Sequence, residues 1–191
     1  MAVITRSRYL VTETGIKPST TEKNNMIKKY DDLIKKSAKK FLPGVDWRLL
    51  KAQLQAESAL NPEATSHVGA MGIAQFMPDT WDQMKDELKL SDNASAYNEF
   101  FAIPAAAYYM RKLMQSWSAP RPEADRYCLA LASYNAGFGN LLKAQKYASN
   151  ANDYHKIIKH LHQATGKHSK ETITYVDRIF KTFSEYLLKG R

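Results

Sequence analysis

One cysteine, Cys128, stands in 191 residues. A lone thiol can close no internal disulfide and cannot build a cysteine-ligated zinc module, which excludes a disulfide-stapled scaffold and a zinc finger. Long apolar runs are missing as well. The longest uncharged, mostly apolar stretch, Phe100 to Met110, is eleven residues interrupted by Pro104, against the ~20 that a membrane-spanning helix needs, so no membrane insertion is expected. A phosphate-cradling glycine loop is absent, because Gly137-Phe138-Gly139 has neither the preceding strand nor the remaining spacing. His155, His160, His162 and His168 cluster loosely without a His-Glu-x-x-His pattern or a neighbouring carboxylate motif; they read as surface histidines, and no metal and no cofactor is expected. Sustained two-residue alternation, the mark of half-buried strands, occurs nowhere.

What is present is 44% apolar and 11% aromatic residues, ample for a core in a chain that buries roughly 70% of its unfolded surface. Lys and Arg number 28 against 19 Asp and Glu, a formal charge of +9. An anionic partner follows: nucleic acid, a membrane surface or a cell wall. No nucleic-acid module is recognisable, which leaves an anionic wall or envelope. The opening Met1-Ala2-Val3-Ile4-Thr5-Arg6-Ser7-Arg8 places arginines where a secretory signal carries its apolar stretch. Synthesis in the cytoplasm without a signal peptide is therefore expected.

Residues 1–21, with Gly15, Pro18 and a Ser/Thr cluster, read as an arm or linker suited to docking on a particle or envelope, and residues 22–191 as one domain. From Glu22 onward Met26, Tyr30, Leu33, Ile34, Ala38 and Phe41 recur at three- and four-residue steps, one face of a helix that Pro43-Gly44 ends. Lys28, Lys29, Lys35, Lys36, Lys39 and Lys40 crowd the other side and read as a solvated face. Asp46 is placed to cap a second helix carrying Trp47, Leu50, Leu54 and Leu60, closed by Asn61-Pro62. Residues 61–77 read as an irregular loop, and Pro78 as the first residue of a helix to Leu88. Further helices are predicted for Glu99–Trp117, Pro122–Ser133, Gly139–Ala148, Asp153–Gln163 and Ser169–Leu188. The fold class is all-α.

Glu57 invites a functional reading because Leu50, Leu54, Ala56 and Leu60 commit its helix to the core. Partial burial without a cationic partner raises a carboxyl's pKa and keeps it protonated near neutrality, as a general acid requires. A glutamate exposed near the helix end is the plainer alternative.

Four segments occur in order. Glu57-Ser58-Ala59-Leu60-Asn61-Pro62 is followed by Ser66-His67-Val68-Gly69-Ala70-Met71-Gly72-Ile73-Ala74-Gln75-Phe76-Met77-Pro78, then Ala132-Ser133-Tyr134-Asn135-Ala136-Gly137, then Glu171-Thr172-Ile173-Thr174-Tyr175-Val176. Over residues 44–188 this set resembles the soluble lytic transglycosylases, glycoside-cleaving enzymes of peptidoglycan with a goose-lysozyme-like fold. The resemblance implies an all-α, lysozyme-like domain with a substrate cleft. Two departures stand out: Ile73-Ala74-Gln75 replaces the family's Leu-Met-Gln, and Ala102 and Ala106 replace an Asn and a Gly in a later helix.

By that resemblance Glu57 is the catalytic acid, and the glycan between N-acetylmuramic acid and N-acetylglucosamine is the substrate. Tyr134 offers a phenolic O–H and Gln75 an amide with donors and an acceptor. Ser66 and Asn135 are placed for sugar substituents, Met77 for a flexible thioether contact, and Glu171 and Tyr175 for binding substrate or bracing. One by one, Tyr134 also fits a core aromatic, Asn135-Ala136-Gly137 a helix stop, and Gly69 and Gly72 turn residues. Two other activities stay open: a goose-type muramidase, in which water replaces the sugar's C6 hydroxyl, and a wall-binding structural protein without catalysis. The expected setting is a phage endolysin or virion-borne enzyme, reaching the wall after membrane permeabilisation or on entry, or a secreted effector.

Overall fold

Aspartates at the start of a helix and lysines at its end both oppose the helix dipole, and α1 (Asp31–Phe41) has this arrangement, with Asp31 and Asp32 in its first turn and Lys39 and Lys40 in its last. The computed structural model describes residues 28–189; the arm read over 1–21 and the helix start read over 22–27 lie outside them. Backbone contacts divide the described residues into two compact units, 28–108 with 182–189, and 109–181.

In the unit of 28–108, α1 buries Ile34, Ser37, Ala38 and Phe41 against α2 (Trp47–Ser58). Asp46 caps α2 as expected: its carboxylate accepts from the Arg48 backbone N–H at 2.9 Å and from the Arg48 guanidinium at 2.6–3.2 Å. The guanidinium hydrogen bonds come first among the causes that hold this carboxyl below its ordinary pKa. On the inner face of α2 the fully buried Lys51 places its ammonium 2.5 Å from Asp31 of α1, whose side chain is 16% exposed. The same ammonium lies 5.4 Å and 4.8 Å from the Trp47 and Tyr186 ring centroids, within cation–π range. Next come α3 (Pro78–Leu88), with Pro78 at its first position, and α4 (Glu99–Ser116). Pro104 lies inside α4. It forfeits one bond, to a carbonyl in the first turn, and the fully buried Ile103, Ala105, Ala106 and Ala107 around it offset that loss by packing. Ala102 and Ala106, at the Asn and Gly positions of the resembled pattern, are helical and fully buried.

In the unit of 109–181, α5 (Glu123–Ala136) is buried from Leu129 through Asn135 on every side, as a central helix is. Around it run α6 (Phe138–Tyr147), α7 (Tyr154–Lys159), α8 (Leu161–Thr165), a 3₁₀ turn (Gly166–His168) and the first turns of α9 (Ser169–Leu188). Trp117 donates its indole N–H to Ser133 at 3.0 Å and meets Phe138 edge-on at 5.3 Å.

Most predicted helices form within a residue or three of their expected ends. Three differ. The helix read from Glu22 is interrupted by a turn at residues 29–30, with Tyr30 at the N-cap, so α1 begins only at Asp31. The second helix stops at Ser58 because Ala59 and Leu60 turn left-handed, at φ 56° and 63°, so Leu60 reaches the core from outside the helix. The stretch read as Asp153–Gln163 breaks at His160 into α7 and α8. Among the described residues there are no strands, only isolated bridges pairing Met71 with Thr65 and Phe76; the fold is all-α.

Candidate active site

Glu57 lies in the last turn of α2 and is 7% exposed. The next residue fixes that end of the helix: Ser58 Oγ donates to the Ile73 carbonyl at 2.9 Å and accepts from the Asn61 N–H at 3.1 Å. Two successive non-glycine residues in the left-handed region, Ala59 and Leu60, then turn the chain away. Each costs about 1–2 kcal/mol, so strain begins two residues after the glutamate.

The loop that receives the Ser58 bond is closed by backbone hydrogen bonds. Met71 and Phe76 exchange two, at 2.8 and 3.0 Å, and the Gly72 N–H donates to Ala64 at 2.8 Å. Gly72, at φ 69°, is irreplaceable on steric grounds, since a Cβ there would stand 1.8 Å from the Ala96 carbonyl oxygen. Gln75 is itself left-handed, at φ 49°, and 3% exposed. Its amide nitrogen donates to the Gly72 and Ala64 carbonyls at 2.9 and 3.2 Å. Both N–H groups are thereby engaged in holding the loop. Ser66 Oγ accepts from the Ala70 N–H at 2.9 Å, keeping its own proton available. Met77 is half-buried and occupies the N-cap position of α3 without a side-chain capping bond.

In the unit of 109–181, Tyr134 is 1% exposed and packs on Tyr109 with ring centroids 5.2 Å apart. Asn135, 6% exposed, accepts on Oδ1 from the Thr172 hydroxyl at 2.7 Å. Glu171, half-buried, and Tyr175, 2% exposed, flank Thr172 on α9. The Thr172–Asn135 bond therefore joins the two candidate pairs, Tyr134 with Asn135 and Glu171 with Tyr175. Likewise Ser58 joins Glu57 to the segment of Gln75.

Sequence reasoning gave no role to Ser58 or Thr172, and to Gly72 only that of a turn residue. Each lies within a quoted motif, yet its partner is 15, 24 or 37 positions away, beyond any periodic signal. Among the described residues no group of three or more His, Cys, Asp or Glu side chains could hold a metal, and no helix is long and apolar enough to cross a membrane.

A family model described as Transglycosylase SLT domain matches residues 32–157. Among curated proteins, a membrane-bound lytic murein transglycosylase F from Yersinia pestis (strain Pestoides F) is 31% identical over 129 residues, which is 68% of this chain and 24% of that protein. A protein of the same name from Yersinia enterocolitica is 34% identical over 108 residues, 56% of this chain and 21% of its own. Among solved structures, an inactive mutant of the lytic transglycosylase Slt from Pseudomonas aeruginosa superposes with a TM-score of 0.67 at 22% identity, covering 85% of this chain and 24% of that one. The 70 kDa soluble lytic transglycosylase of Escherichia coli gives a TM-score of 0.57, also at 22% identity and over the same shares. These likenesses show an all-α, lysozyme-like fold. The chain spans about a quarter of the length of the curated relatives it matches.

Proposed function

The chain belongs to the transglycosylase SLT domain family, and from that premise we propose that it is a peptidoglycan lytic transglycosylase. It cleaves the β-1,4 bond between N-acetylmuramic acid and N-acetylglucosamine and leaves 1,6-anhydro ends. The observation that carries this reading is Glu57: a carboxyl 7% exposed at the end of a helix, with Ser58 bonded to the loop that ends in Gln75.

Protonated Glu57 gives its proton to the bridging oxygen as the bond to the anomeric carbon breaks. The acetamido oxygen of the same sugar bonds to that carbon and takes the place of the second carboxylate that many glycosidases use. Glu57, now a carboxylate, accepts the proton of the C6 hydroxyl. The C6 oxygen attacks the anomeric carbon, the bond to the acetamido oxygen breaks, and the 1,6-anhydro ring closes. Glu57 ends protonated and no water is consumed. We assign substrate binding to Ser66 through its O–H, Met77 through its thioether, and Gln75, Tyr134, Asn135, Glu171 and Tyr175 through their polar groups.

Mass spectrometry of soluble fragments from digested peptidoglycan tests this. Anhydromuramic ends are expected, and Glu57→Gln is expected to abolish their release. Reducing ends, heavier by one water, would mean hydrolysis, and full activity of the variant would remove Glu57 from the chemistry. For the setting we propose a phage endolysin or virion-borne enzyme, with a secreted effector as the alternative; the +9 charge suits the anionic wall on which each would act. Recovery from virions or lysates of the natural host supports it, and export by the general secretion pathway overturns it.

A further inference from the structure

Lys35, Lys36, Lys39 and Lys40 are exposed on two successive turns of α1, so that 35 with 39 and 36 with 40 are surface neighbours, about 5–6 Å apart at Cβ. Like charges in that relation repel. The helix dipole accounts for Lys39 and Lys40 in the last turn and leaves Lys35 and Lys36, in the middle, unexplained. Carboxylates do not neutralise the row. Asp31 is taken inward by Lys51, Asp32 comes only within 3.9 Å of Lys35 with its side chain 93% exposed, and Lys36, Lys39 and Lys40 have no ion-pair partner among the described residues. Aromatic rings steady two of the four ammoniums instead: that of Lys35 lies 4.7 Å from the Trp47 ring centroid, and that of Lys40 lies 4.8 Å from that of Phe41. Such contacts attract a cation without supplying the acceptors its N–H groups seek.

We propose that this face of α1 docks the chain on the carboxylates of the peptide stems that peptidoglycan strands carry, a contact made apart from the segments of Glu57 and Gln75. This rests on the reading of the chain as a peptidoglycan-cleaving enzyme, which makes its substrate a polyanion. Lysine suits that partner. A compact charge on a flexible stem meets carboxylates scattered along a strand, where a single planar anion calls for the arginine fork. An anionic lipid surface fits less well: a helix lying on a membrane sinks exposed apolar side chains into it, and among the described residues the exposed large apolar side chains all lie outside α1.

The test is co-sedimentation with insoluble peptidoglycan, on ice and at low ionic strength. It compares the unmodified protein with Lys36→Gln plus Lys39→Gln, and with Lys36→Arg plus Lys39→Arg, which keeps the charge. The same proteins are spun with peptidoglycan whose carboxylates have been amidated by carbodiimide and methylamine, and with phosphatidylglycerol vesicles. The glutamine pair is expected to bind native peptidoglycan about three- to tenfold more weakly, the order of two exposed charge contacts, and the arginine pair within about twofold of the unmodified protein. On amidated peptidoglycan the difference between the proteins should vanish. Equal binding of the unmodified and glutamine proteins to native peptidoglycan, or a difference that survives amidation, overturns the inference while the activity stands. Lysine-dependent binding to the vesicles in place of peptidoglycan assigns the face to lipid and overturns it as well. A protein that binds through these lysines yet releases no fragments overturns the activity and leaves the docking surface in place.

Discussion

At position 72 a side chain has nowhere to go. The Ala96 carbonyl oxygen lies 1.8 Å from where a Cβ would stand, and φ is positive, so Gly72→Ala must displace backbone. About 2–4 kcal/mol of stability should be lost, and fragment release should fall with it, because Gly72 also accepts from the Gln75 amide. Denaturant unfolding and an activity assay measure the two together. The exposed Ala59 behaves oppositely: it is left-handed at φ 56°, and Ala59→Gly should stabilise by about 1 kcal/mol. Single residues of this kind were half legible. Glu57, Gln75 and Tyr134 stand out from sequence through their motifs, and their placement follows from their helices and loop. The close approach of Gly72 to Ala96 and the bond from Ser58 to Ile73 were not legible, because chain segments that meet only in the folded state create them.

Elements were easier to read than their ends. Apolar spacing located α1, α2 and α9, and Pro78 marked the start of α3, because these signals act within a few residues. Where α2 stops depends instead on Ala59 and Leu60 accepting left-handed geometry, against their intrinsic preference, once Leu60 and Ser58 find partners in the fold. The cap at the other end of α2 makes a pH-dependent prediction. Asp46 is held below its ordinary pKa in the fold, so between the folded and unfolded values the unfolded chain binds more protons. Its contribution is full above the ordinary carboxylate range and drains away as pH falls through the depressed folded value. Asp46→Ala should therefore cost about 1 kcal/mol at neutral pH and progressively less as the solution is acidified below that range, as unfolding curves at several pH values would reveal. The ion pair between α1 and α2 should respond asymmetrically. Asp31→Asn deprives the fully buried Lys51 ammonium of its carboxylate and should cost about 3–5 kcal/mol. Lys51→Met should cost less, because the Asp31 side chain it leaves behind still reaches water; paired denaturation curves give the comparison.

Over the whole molecule, charge is the property most directly readable from sequence. The +9 balance includes six lysines at 28, 29, 35, 36, 39 and 40, all exposed on or just before α1, while nearby Asp31 is engaged inward by Lys51. Attraction to an anionic wall is long-ranged and screened over about 8 Å at physiological ionic strength and about 3 Å at 1 M. The rate of wall lysis should therefore fall several-fold across that range, while cleavage of short uncharged glycan fragments changes little; parallel salt titrations distinguish the two. The lone cysteine supplies something different. Cys128 is half-buried, and burial, ahead of the nearby carboxylates of Asp125 and Asp177, pushes its thiol up to about 12. At neutral pH the native protein therefore presents almost no thiolate, the form that alkylating reagents attack. Because no second thiol competes, the slow capture of this single atom becomes a built-in stopwatch, whose ticks count the moments at which the helices around α5 come apart.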